Sequence, residues 1–195
     1  AAHRDLHSFP TRRSSDLSGK NPEGNKIGRP SAHIYVFDCR STAGHGICLG
    51  SEMSGGIEDV QIWDCDLTNS WSGIEIKATP KRGGYVRGVS VRDCTASRLL
   101  VHAVPYNDDG EAAPRQPVFS HLSFERLTLT GRGLRDGSFE NVEPIELAGF
   151  DAPGHELRDV VLDGITVENE TGTMTLPVQY CRGLTIRDLT CAARK

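Results

Sequence analysis

A parallel β-helix, an all-β solenoid of stacked coils, is the fold this sequence predicts. Three observations predict it. A short phrase recurs along the chain, apolar residues within each copy alternate with the strand period of two, and glycine is too frequent for long helices to fill the intervals. The chain has 195 residues, 21 of them Gly, with 37% hydrophobic and only 6% aromatic residues, so its core is aliphatic and spread thin. That length suits one domain. Lys and Arg number 22 against 26 Asp and Glu, a net charge of −4, which argues against a general nucleic-acid binder. No apolar run approaches the roughly 20 residues of a membrane-spanning helix.

The phrase first reads Ile34-Tyr35-Val36-Phe37-Asp38-Cys39, then Val60-Gln61-Ile62-Trp63-Asp64-Cys65, then Val89-Ser90-Val91-Arg92-Asp93-Cys94. Weaker copies begin at Leu122, Leu162 and Leu184. The three cysteines stand 26 and 29 residues apart, the spacing of a solenoid rather than of a globular sheet. Each copy is a strand closed by Asp, whose side chain bonds nearby backbone in a turn, and by Cys, small and apolar enough for the interior. A second short strand follows in each repeat, as in Gly46-Ile47-Cys48-Leu49-Gly50 and Gly73-Ile74-Glu75-Ile76-Lys77. One coil cannot bury its own inner face, so stacked coils share one core. The cysteines are therefore expected as a ladder of reduced thiols. No Cys-x-x-Cys spacing marks a metal or redox cluster, and no metal is expected. A disulfide involving Cys181 and Cys191 stays open at this level.

Residues 1–17 show no period and no apolar stretch of the kind a signal peptide carries. Residues 7–17, HSFPTRRSSDL, are similar to the translated reading frame of a sequencing-library adapter. The expected organisation is a non-native or disordered segment at 1–17 and the C-terminal part of a β-helix domain at 18–195.

The segment from Gly44-His45-Gly46 to Gly55-Gly56 resembles the Gly-His-Gly signature of family 28 glycoside hydrolases, the polygalacturonases. One coil on, Gly73-Ile74-Glu75-Ile76-Lys77 and the residues to Arg87 resemble that family's Arg-Ile-Lys segment. The resemblance implies a right-handed parallel β-helix that hydrolyses α-1,4-galacturonosyl linkages in pectin with inversion. It implies a catalytic role for His45, with Gly44 and Gly46 allowing close backbone approach beside it. Alternation turns Glu75 and Lys77 outward into one groove if Ile74 and Ile76 face the core. Lys77 then suits a galacturonate carboxylate, and Lys81, Arg82 and Arg87 add charge that favours a polyanion. Tyr106 and its loop are further candidates for lining the sugar groove.

Two departures from the family pattern stand out. Glu75 occupies the position where the family has Arg, and a carboxylate there repels an acidic sugar unless it pairs with Lys77 or a hydroxyl. The family's catalytic aspartates lie in an Asn-Thr-Asp segment and an Asp-Asp pair ahead of Gly-His-Gly, and neither motif stands there in this sequence. Ser18-Gly19-Lys20-Asn21-Pro22 resembles the stretch just after that pair. Asp108-Asp109 follows Gly-His-Gly and reads as a turn. Inversion needs two correctly spaced carboxyl groups, so the chain is expected to be an N-terminally truncated, inactive fragment. Other readings are an acidic-glycan-binding β-helix without catalysis, or another β-helix enzyme such as a pectate lyase, for which the sequence lacks a calcium-binding aspartate cluster.

The rest of the sequence carries little chemistry. Residues 131–158 read as a long Gly-rich, acidic loop between coils, in which Glu143 and Glu146 are expected to face solvent, with contact to substrate as the alternative. His102, His121 and His155 read as isolated. The expected partner is a pectic polysaccharide or oligogalacturonide, with no cofactor, nucleic acid or membrane. A monomer is expected, and the resemblance implies export.

Overall fold

A computed structural model describes residues 21–105 and 110–194, and in it the alternating phrases become the rungs of a parallel β-helix. The adapter-like segment at 1–17, Tyr106 and the Asp108-Asp109 pair lie outside the described residues. Among the described residues a short helix, α1 (Asn21–Ile27), precedes the first rung.

The first face is built by β1 (Ser31–Phe37), β3 (Ile57–Trp63), β6 (Tyr85–Arg92), β9 (Val118–Glu125), β14 (Leu157–Asn169) and β16 (Cys181–Ala193), paired in that order and parallel. Past a corner, β4 (Asp66–Leu67), β7 (Thr95–Ala96) and β10 (Thr128–Leu129) stack onto the far half of β14. A third face runs β2 (Ile47–Leu49), β5 (Ile74–Ala78), β8 (Leu99–Ala103), β13 (Ile145–Ala148) and β15 (Val178–Gln179), also parallel.

Register turns the sequence repeat into columns. Val36, Ile62, Val91, Phe124, Leu162 and Ile186 occupy one column of the first face. On the third face Ile47, Ile74, Leu99 and Ile145 form another. In the middle rungs these side chains are 0–1% exposed, whereas Ile186 on the last rung is 41% exposed. A rung is thus sealed only by a neighbour on each side, as a solenoid requires.

The Asp of the repeated phrase has a backbone reason. Asp38, Asp64, Asp93, Arg126, Gly164 and Asp188 all have φ between 48° and 68°, one at the corner of each coil. A second such column, His33, Asp59, Gly88, His121, Asp159 and Gly183, lies five residues earlier in each. Left-handed backbone is strained for most residues and least so for Gly, Asn and Asp, which explains why Asp recurs there. Cys65 and Cys94, next in sequence, turn inward and are buried, while Cys39 on the first rung is half-buried. All six cysteines are free thiols, Cys181 and Cys191 included. These two sit on one strand, paired to Leu157 and Val167 respectively.

Residues 131–158 are not one long loop. They contain an antiparallel hairpin, β11 (Arg132–Arg135) and β12 (Ser138–Asn141), and the rung strand β13. Four residues, Ile-Glu-Leu-Ala, are too few to show a period, so β13 declares itself only by pairing with β8 and β15.

Asp64 is exposed, so substitution there isolates the corner strain. Asp64→Val is expected to cost about 1–2 kcal/mol, while Asp64→Gly stays within about 0.5 kcal/mol of the parent. Urea denaturation of the three proteins measures both values.

Candidate functional site

The outward side of the third face holds the chemistry. Alternation along β5 sends Ile74 and Ile76 into the core at 1% and 0% exposure and leaves Glu75 and Lys77 on the other side. On β8, Leu99 and Val101 point in, so Leu100 and His102 share the outer side with them. Register sets Lys77 beside His102, and sets Cys48, Glu75, Leu100 and Glu146 in one row. Leu100 is only 2% exposed and gives the row an apolar floor, which strengthens the electrostatic contacts above it.

Glu75 is the hub. Its Oε1 accepts a hydrogen bond from His102 Nε2 at 3.0 Å, and its Oε2 accepts one from Lys77 Nζ at 3.1 Å. Cys48 Sγ donates to Oε2 at 3.4 Å, and His45 Nδ1 lies 3.4 Å from the same oxygen. Ser72 Oγ stands 3.4 Å from His45 Nδ1. Beyond His102, its Nδ1 is 3.6 Å from Glu146 Oε1. The carboxylate where a cation was expected is therefore paired rather than repulsive. The side chain of Glu75 is 6% exposed, those of Lys77 and His102 are 13% and 16%, and that of His45 is 61%.

Glycines let the rungs of this site close. Gly46, with φ 90°, sits so that a Cβ would drive into the carbonyl oxygen of Gly73 on the next rung, and a Cβ at Gly50 would meet that of Lys77. Gly44 accepts a hydrogen bond from Trp71 N at 2.7 Å, and His45 O accepts one from Ser72 N at 3.2 Å. These two bonds hold the His45 backbone at the lip of the groove.

Trp71 is in turn fixed from the side. Gly133 of the hairpin lies against its ring, and Leu134 N donates to Ser70 O at 3.0 Å. The guanidinium carbons of Arg98 and Arg135 stand 5.6 and 5.3 Å from the Trp71 ring, within cation–π range.

The ionisation states follow from these partners. Burial opposes charge on Glu75 and is the largest influence on it. The His102 hydrogen bond and the Lys77 charge outweigh it and hold the carboxyl at about 2, below its ordinary 4.5. Burial likewise opposes charge on His102, yet the hydrogen bonds to Glu146 and Glu75 lift it from 6.5 to about 9. Glu146 is lowered, chiefly by its bond from His102. Burial, reinforced by the Glu75 charge, pushes the Cys48 thiol up to about 12, so it stays protonated.

The four cations expected together in one groove separate. Lys77 joins Glu75. Arg82 is 3% exposed and bonds Asn21 Oδ1 at 3.2 Å, Lys81 donates to Gly110 O, and Arg87 pairs with Glu58 on the first face at 2.6 Å. Arg87 leaves this side because it belongs to β6 on the first face, while Arg82 stays in the turn after β5 and also reaches Ser51 Oγ at 3.5 Å. His102 and Glu146 correct the sequence reading in the other direction. Neither is isolated or turned to bulk solvent. His121 and His155 do lie elsewhere, near Asp159 Oδ2 and bonded to Pro117 O. The carboxylate of Glu143 accepts from Thr175 rather than joining the hub. His102 could have been found by sliding Leu99-Leu100-Val101-His102-Ala103 under Ile74-Glu75-Ile76-Lys77-Ala78. Trp71, Arg98 and Arg135 carried no such signal.

Comparison with known proteins agrees with the resemblance read from the sequence. Residues 25–101 match the family model described as glycosyl hydrolases family 28. A Vitis vinifera protein described as "Probable polygalacturonase" is 44% identical over 84 residues, which are 42% of this chain and 17% of that one. A Penicillium griseoroseum polygalacturonase is 27% identical over 101 residues, 50% of this chain and 27% of its own. The chain thus spans under a third of the length of these relatives. Among solved structures, a hyperthermoactive exopolygalacturonase from Thermotoga maritima superposes with a TM-score of 0.59 at 24% identity, over 87% of this chain and 37% of that one. A family 28 exopolygalacturonase from Yersinia enterocolitica gives 0.60 at 18% identity, over 91% and 33%. These likenesses show the fold, a right-handed parallel β-helix.

The two ionisation shifts bracket a pH window. Glu75, lowered on folding, contributes stability that is complete above about 4.5 and is lost as pH falls toward 2. His102, raised on folding, contributes stability that is complete below about 6.5 and is lost as pH rises through 9. The thermal midpoint is expected to be highest between roughly pH 4.5 and 6.5. Glu75→Gln, which strips the anion from two buried cations, should cost about 3 kcal/mol at pH 6 and flatten both limbs. Calorimetric melts across pH test this.

Proposed function

From the family 28 match over residues 25–101, we propose that this chain forms the substrate-facing part of a pectin-hydrolysing β-helix that cleaves α-1,4-galacturonosyl linkages with inversion. The observation that carries this reading is the convergence of His45 and Lys77, from neighbouring rungs, on one oxygen of Glu75 at 3.4 and 3.1 Å. An exposed imidazole and an ammonium a few ångströms apart on one outward face suit a sugar ring that carries a carboxylate. In this reading Lys77 binds the galacturonate carboxylate and His45 works at the reacting sugar. Glu75 orients both, and Gly44 and Gly46 let the backbone come close enough to place them.

The 195 residues alone bind the glycan without turning it over. Inverting hydrolysis needs one carboxylic acid to protonate the leaving oxygen and one carboxylate to activate water. Among the described residues, Glu75 and Glu146 on this face are both held ionised by cations, so neither suits the acid role. This favours acidic-glycan binding as the activity of the isolated chain.

Isothermal titration with trigalacturonate should give measurable binding, weakened at least fivefold (roughly 1 kcal/mol) by Lys77→Ala. Reducing-end release from polygalacturonate by the same chain should stay at background. Equal affinity of the Lys77→Ala protein sinks the substrate reading, and steady reducing-end release sinks the assignment of inactivity.

A further inference from the structure

His102 lies one residue beyond the family match, and the placements on β5, β8 and β13 give it a role of its own. It spans two carboxylates that sit two rungs apart, Glu75 on β5 and Glu146 on β13, with one ring nitrogen toward each at 3.0 and 3.6 Å. Both nitrogens can hold a proton in this arrangement only as imidazolium, since a neutral ring has a single N–H. The further charged neighbours among the described residues are Lys77 on β5 and Arg98 at the entry to β8, the latter acted on by Glu146, Glu75 and Glu143. The Cys48 thiol on β2 is protonated and adds no charge.

We propose that His102 is a positioning residue of this face, an imidazolium that bridges Glu75 and Glu146 and adds the positive charge that offsets them where an acidic sugar would meet the face. The proposal rests on the glycan reading above and deepens it. Among the described residues Lys77, Arg98 and His102 stand against Glu75 and Glu146, and Glu143 also acts on Arg98. Loss of the His102 proton takes one positive charge from this cluster. Its attraction for a uronate weakens accordingly, and Glu75 loses the partner that shares its carboxylate with Lys77. His102 therefore takes up the compensation that the carboxylate at position 75 makes necessary. Upward displacement of its ionisation to about 9 agrees with this placement, since it keeps the ring charged across neutral pH.

The test uses the whole chain with trigalacturonate and its fully methyl-esterified counterpart as probes. His102→Gln should weaken trigalacturonate binding about fivefold at pH 7 and leave the uncharged ester unaffected, a split that a merely structural role does not produce. Affinity of the unaltered chain for trigalacturonate should fall as pH is raised from 7 through 9, and the imidazole of residue 102, followed by NMR, should titrate near 9. The NMR titration needs no variant, so it decides the matter even if His102→Gln fails to fold. A midpoint near 6.5, or equal trigalacturonate affinity in His102→Gln, overturns the inference while leaving the glycan reading intact. Absence of trigalacturonate binding by the unaltered chain overturns the glycan reading and this inference together.

Discussion

Rung-to-rung register is the constraint on which everything else depends. Parallel backbone pairing places each residue directly against its counterpart one coil away, so every position belongs to a column running along the solenoid axis. A column is either all core or all surface, because a shift of one residue reverses which face each side chain meets. The Val36 to Ile186 column shows the apolar consequence, and the corner column of Asp38, Asp64 and Asp93 shows the backbone one. The same constraint allows coils of unequal length. Insertions such as the β11–β12 hairpin are accommodated between rungs without disturbing the columns on either side.

The functional face is a product of that register. Glu75 meets His45, Cys48, Lys77 and His102 because adjacent parallel rungs, at the usual strand spacing of about 4.8 Å, present their outward side chains in rows. The glycines at 46 and 50 keep this spacing where a Cβ would collide with the next rung. Loss of either would reach the chemistry through backbone displacement rather than through any group it contributes.

Electrostatics on this face is a matter of shared partners. A buried carboxylate without cations would be costly, and buried cations without a carboxylate equally so. Glu75, Lys77, His102 and Glu146 each reduce the others' desolvation cost, and the apolar Leu100 floor raises the strength of every pair. The outward ion pairs of the first face, Arg87 with Glu58 and Arg126 with Asp93, are well exposed and contribute little by comparison.

The sequence by itself determined the coil. Strand alternation, the 26- and 29-residue spacing of the cysteines and the Asp that recurs at four of the six described corners are local properties, legible because the repeats obey the same backbone constraint. It also brought out Gly44 to Gly50 and Glu75-Ile76-Lys77 through their resemblance to a family motif, and the structure sets these two segments on neighbouring rungs. Only the tertiary structure decided which other side chains join them. Arg87, close to Lys77 in sequence, turns to the first face. His102 and Glu146, 25 and 69 residues beyond Lys77, come onto its face, His102 in its own row and Glu146 in that of Glu75. The reason is that coil lengths vary while rung spacing does not, so distance along the chain says little about which residues become neighbours in space.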